Sequence, residues 1–140
     1  MSLQSSPNFL RYVLWIDAIS CLICGLSQVA FTGTLSEWLG LSATLLAGTG
    51  EFLLLYGVVV AFLATRSRTP GAIIWLLIVG NAAWAVACIA CLLGSGGTIT
   101  LLGKVYVIAQ ALTVAVVALL QYSGMRGHDA RQGSQRSVNA

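Results

Sequence analysis

Residues 69–103 read TPGAIIWLLIVGNAAWAVACIACLLGSGGTITLLG, and no charge falls anywhere among them. A helix needs roughly 20 mostly apolar residues to cross the hydrocarbon of a bilayer. The stretch from about Gly71 to Leu93 has that length and character. Its ends carry helix punctuation. Thr69 is placed to cap, and Pro70 to occupy the first turn, where a missing N–H costs nothing. Gly94, Ser95, Gly96 and Gly97 end the run, because such clusters favour turns. Thr98 or Thr100 is placed to cap the helix that follows.

Working outward, the same pattern recurs three times. Apolar stretches run from about Phe9 to Phe31, from about Ala43 to Thr65 and from about Leu101 to Tyr122. Barrel strands would alternate polar and apolar residues over about ten positions, and these segments are apolar on both faces. Lipid leaves no partner for open backbone, so the segments are expected to be helices. Between the first two spans, Thr34 and Glu37 fit a capping box and Gly40 a helix stop. A short interfacial helix is expected over residues 35–39, with Trp38 at headgroup level. The sequence therefore predicts an all-α protein, an antiparallel four-helix transmembrane bundle with a short interfacial helix between spans 1 and 2. Residues 1–8 form an N-terminal cytoplasmic segment in this reading, 9–123 the bundle, and 124–140 a disordered polar tail. Short loops are expected to make successive spans neighbours.

Composition agrees. Of 140 residues, 58% are hydrophobic and 8% charged, with a net charge of +3. Soluble domains carry about 25% charged residues, so a soluble surface is excluded. No stretch concentrates enough positive charge to follow a phosphate backbone, which excludes a nucleic-acid partner. The charges instead set a topology. Arg11, Arg66, Arg68, Arg126, Arg131 and Arg136 fall at one end of the four spans, and only Lys104 at the other. The positive-inside rule then puts both termini in the cytoplasm. The expected location is a bacterial cytoplasmic (inner) membrane, crossed four times.

Two ionisable residues, Asp17 and Glu51, lie inside spans, where such a group costs about 2.5–3.5 kcal/mol at the bilayer centre. At a rise of about 1.5 Å per residue, Asp17 falls about 5 Å to the cytoplasmic side of centre and Glu51 about 4 Å to the outer side. Asn81 and Gln110 fall within about 3 Å of centre by the same spacing. Each span thus supplies one strongly polar group near one depth, and all four are expected to turn inward and meet. Gly48, near the Glu51 face, is expected to permit close helix approach. Asp17, Cys21, Cys24 and Gln28 form one helical stripe, and Gln110 continues one that begins at Tyr106. Trp84, one turn beyond Asn81, needs a partner for its N–H, and Asn81 is the candidate. Two readings stay open: a self-satisfied polar core, or a midplane site for a proton, a cation or a polar ligand. Gln28, Trp84 and Tyr106 are secondary members of such a site.

The cysteines form two C-x-x-C pairs, Cys21/Cys24 and Cys88/Cys91. On helices at different depths they do not converge easily on one tetrahedral ion, so no metal site is expected. Packing and redox work both remain open for them. The single histidine, His128, lies in the tail, so no Ser–His or Cys–His machinery is available within the spans. No phosphate-binding or dinucleotide fingerprint is present.

Short motifs carry a resemblance over most of residues 9–126. They are Arg11 with Asp17-Ala18, Leu39-Gly40-Leu41, Asn81-x-x-Trp84, Gln110-Ala111 and Leu120-Gln121-Tyr122-x-Gly124-x-Arg126. In these the chain resembles a group of small bacterial four-span membrane proteins that carry no assigned function. In Arg11, Gly25 and Gly50-Glu51 it is also similar to DoxX-like proteins, with Gln28 where that pattern has a lysine. That likeness implies membrane redox work and a quinone as cofactor or partner. Small multidrug transporters share four spans and an acid in the first, but their surrounding motif is not present. The expected function is that of a non-enzymatic accessory or scaffold protein without a resident cofactor, partnered by lipid and by another membrane protein or its own copy. The alternatives are a small transporter or proton-coupled binder, and a quinone- or thiol-linked redox accessory.

Overall fold

The computed structural model describes residues 8–67 and 69–138. The expected N-terminal segment, apart from Asn8, lies outside the described residues, as does Arg68. Five helices follow in order: α1 (Phe9–Ala30), α2 (Thr32–Leu39), α3 (Ala43–Thr65), α4 (Gly71–Gly94) and α5 (Leu101–Val138). α1, α3, α4 and residues 101–127 of α5 are each long and apolar enough to cross a membrane. The fold is an all-α four-helix bundle, with α2 between the first two spans as expected.

The helix ends differ from expectation in ways that local bonding explains. α2 starts at Thr32, five residues after Ser27, whose carbonyl receives the Phe31 N–H, and no capping box forms at Thr34. The chain turns over with almost no break after α1, so Thr34 is already inside the helix. Gly40 ends α2 in the left-handed region, at φ 68°. Thr69 does not cap α4. Its hydroxyl donates to the Leu63 carbonyl, and Pro70 occupies the cap. Thr100 does cap α5, accepting from the Gly103 N–H at 3.0 Å. Ser42 caps α3 in the same way.

The tail corrects a second expectation. Residues 124–138 continue α5 instead of forming a disordered segment. Helix nucleation is the costly step, and here the preceding turns have already made it. No proline interrupts the continuation.

Packing is set by glycine. A Cβ on Gly25 would sit 2.8 Å from the Gly50 carbonyl oxygen, and one on Gly57 would sit 2.9 Å from Leu22 Cγ. α1 and α3 therefore pack backbone against backbone. α4 packs on α5, and α1 also meets α5. α3 and α4, although consecutive, make no close backbone approach. Phe52, stacked on Trp84 at 5.4 Å between ring centroids, holds them apart while joining their side chains. The short loop alone was a poor guide here, because small residues close one helix pair and aromatics wedge the other.

Two apolar clusters flank the polar middle. Leu14, Ala18, Val60, Ala64 and Leu77 fill the end that carries the termini. Leu39, Leu41, Leu46, Cys88, Ile99 and Val107 fill the opposite end. There α2 acts as a plug: the Leu39 carbonyl accepts from Thr100 N–H and the Trp38 carbonyl from Thr100 Oγ1.

Candidate functional site

The interior holds two polar networks rather than the single four-residue cluster expected. The first centres on Asp17, which is 2% exposed. One of its oxygens, Oδ2, accepts from Gln121 Nε2 at 2.9 Å, Asn81 Nδ2 at 3.3 Å and the Tyr56 hydroxyl at 3.3 Å. The other, Oδ1, faces Cys21 Sγ at 3.7 Å. Asn81 Nδ2 also donates to Gln121 Oε1. α1, α3, α4 and α5 thus each contribute one side chain to a single carboxyl. All the donors are neutral. A carboxylate has about four lone-pair sites, so four donors come close to saturating it.

The second network lies about two to three turns further along α1. Gln28 Nε2 and Gln110 Nε2 both donate to the Tyr106 hydroxyl oxygen, at 2.8 and 2.9 Å. Thr49 Oγ1 donates to Gln28 Oε1 at 2.8 Å. Cys24 Sγ lies 3.3 Å from the Tyr106 hydroxyl and 2.9 Å from Gln110 Nε2. With two amides already on the Tyr106 oxygen, the hydroxyl hydrogen is free to point at this sulfur. Among the described residues, no buried side-chain nitrogen or oxygen lacks a partner.

Asp17 and Asn81 therefore meet as expected, and Gln110 joins Gln28 and Tyr106 instead. Gln110 misses Asp17 because α5 takes its register from the tie to α2, which sets Gln121 level with Asp17. Gln121, 0% exposed, lies on the Gln110 stripe at i+11, and that spacing was the available signal. Trp84 is not held by Asn81, whose amide goes to Asp17 and Gln121; its ring stacks on Phe52. The four thiols are free. Cys88 is buried in the apolar cluster of the α2 end, with Cys91 packed against it.

Glu51 departs furthest from expectation. It is exposed on the outer face of α3. Two demands compete on this helix. Turning Glu51 inward by about 100°, one residue's rotation at 3.6 residues per turn, would take Gly50 and Gly57 off α1. Bulkier neighbours would replace them, and each overpacked contact costs about 1–3 kcal/mol. Several such contacts outweigh one carboxyl, so the glycines set the rotation. The same rotation brings in Thr49 and Tyr56, one position before each glycine. Sequence reasoning missed both, and the Gly50–Gly57 spacing was the signal for them. Gly48 is likewise not the close-approach residue: a Cβ there would meet nothing within 4 Å.

No protein-family model, curated protein or solved structure matches the chain. The resemblances drawn above therefore rest on their short motifs alone.

Proposed function

We propose that this is a non-enzymatic, multi-pass protein of a bacterial cytoplasmic membrane, acting as an accessory or scaffold subunit, with both termini in the cytoplasm. The closure of its polar interior carries this reading. Every described buried side-chain nitrogen and oxygen is already partnered within the chain. A ligand entering from outside would have to displace bonds that join all four spans. Such a network works as a tie that fixes helix register. The orientation is supported by the basic residues, and by Arg66 over the Phe62 ring and Arg126 over the Tyr122 ring at the end that carries both termini. Aromatic and basic anchors gather at interfaces in this way.

A second reading is favoured by one observation: Asp17 receives only neutral donors, without a described cation beside it. Intramembrane carboxyls of this kind serve proton relays and ligand sites. The two readings separate in the Asp17→Asn protein, since Glu51 lies outside this network. As an accessory subunit it keeps its stoichiometric membrane partner on purification in mild detergent. As a proton-coupled binder it loses a pH-dependent uptake or ligand protection that the wild-type chain possesses. Loss of such an activity with folding intact would overturn the accessory reading.

A further inference from the structure

Asp17 is closed off in the structure, and the edges of the bundle close it in different ways. α1 and α3 meet backbone to backbone at Gly25, Gly50 and Gly57. α4 packs closely on α5, and α5 on α1. Between α3 and α4, among the described residues, no backbone comes close. Three rings fill that edge near mid-depth. Phe52 stacks on Tyr56 at 6.2 Å between ring centroids and on Trp84 at 5.4 Å. Tyr56 and Trp84 are half-buried, while Phe52, between them, is 52% exposed. The carboxyl lies behind these rings. The Tyr56 hydroxyl and Asn81 Nδ2, one from each helix of this edge, both reach Asp17 Oδ2.

We propose that Asp17 is reached from the bilayer through the α3–α4 edge, with the Phe52 ring as its gate. Side-chain rotation is enough to open this edge, and exposed side chains change rotamer far faster than packed helices part. On the other edges whole helices would have to separate. The gate is held by aromatic pairing, a weak contact that breaks and reforms readily. Opening also leaves the network behind it largely intact. Asn81 Nδ2 keeps Gln121 Oε1 as an acceptor when it lets go of Asp17, so its amide is not orphaned. The inference deepens the proton- or ligand-binding reading above by naming the route, and it is independent of the accessory role.

The test uses dicyclohexylcarbodiimide, a lipid-soluble carboxyl reagent, on the full chain in phosphatidylethanolamine/phosphatidylglycerol vesicles. The protonated carboxyl adds across one C=N bond of the reagent. Its oxygen bonds to the central carbon and its proton goes to nitrogen; the acyl group then shifts to nitrogen, and nothing leaves. Glu51→Gln is the background throughout, because the exposed Glu51 would also react. Adducts are mapped by peptide mass, and helicity is checked for each variant. Asp17 should be modified slowly in the background chain. Trp84→Ala should speed the modification about two- to twelve-fold, the factor that loss of one aromatic pair implies. Phe52→Ala removes two pairs and should speed it at least as much. Phe52→Leu, which keeps apolar bulk and loses the stacking, should also be faster and serves if the alanine variant does not fold. Leu22→Ala, a truncation at the Gly57 contact of α1 with α3, should leave the rate near that of the background. Asp17 unmodified in every variant, or equal rates in the Phe52 variants and the background, overturns the proposal. So does Leu22→Ala as fast as Phe52→Ala, which would show general loosening rather than a gate. Asp17 left unmodified in a chain with pH-dependent uptake refutes the route alone. Gated modification in a chain without such uptake supports the route and refutes only the binding reading.

Discussion

Truncating Asp17 tests whether the inner network holds the bundle together. In Asp17→Ala, Gln121 Nε2 and the Tyr56 hydroxyl lose the acceptor they now reach at 2.9 and 3.3 Å. Asn81 keeps Gln121 Oε1 as a partner. Interhelical hydrogen bonds in membranes average about 0.6 kcal/mol and reach about 1.7. Two fully lost bonds and one weakened bond therefore imply about 1–4 kcal/mol. Asp17→Asn should cost less, about 1 kcal/mol or under, by the asymmetry between a kept and an orphaned donor. Its carbonyl can still accept from Gln121 and Tyr56, with its amide turned toward Cys21. The assay is reversible unfolding in mixed micelles of lipid, mild detergent and SDS, followed by helicity. A double-substitution cycle sharpens it. Asp17→Ala with Gln121→Leu should couple by about 0.6–1.7 kcal/mol. Asp17→Ala with Thr49→Val, which shares no partner with it, should be additive within about 0.5 kcal/mol. An alanine variant as stable as wild type, or an asparagine variant as damaged as the alanine one, would refute the reasoning.

Other outcomes follow from the packing. Gly25→Ala should lose about 1–3 kcal/mol in the same unfolding assay, because its Cβ meets the Gly50 backbone, the overpacked case. Gly80→Ala meets nothing and should be neutral or stabilising by about 0.5–1 kcal/mol; equal effects at the two sites would sink the close-approach argument. Thr100→Val removes both the α5 cap and the bond to the Trp38 carbonyl. It should cost about 1 kcal/mol and speed amide exchange in α2, and unchanged exchange there would show that α2 is not held by this tie. A membrane-permeant maleimide should label Cys24 and Cys91 before the buried Cys21 and Cys88, with the same order under oxidising and reducing conditions.

What was legible in the sequence divides along a physical line. The α3 boundaries were readable to the residue, because hydropathy and capping are local properties. Asp17 and Asn81 were readable as partners, because burying them without one would be too costly in lipid. The rotation of α3 was not readable from its polar residue. Glu51 pulled the expectation inward with one unfavourable group, while Gly25, Gly50 and Gly57 pulled the other way through several contacts of backbone closeness. Polar content shows that a helix must satisfy something; small residues decide which face does it. The same principle explains α5. Gln110 and Gln121 are equivalent by residue type, and the register of α5, held by its packing on α4 and by the tie between Thr100 and the end of α2, sets which of them reaches Asp17. A polar residue that loses such a contest, as Glu51 does, is left where the monomer cannot satisfy it.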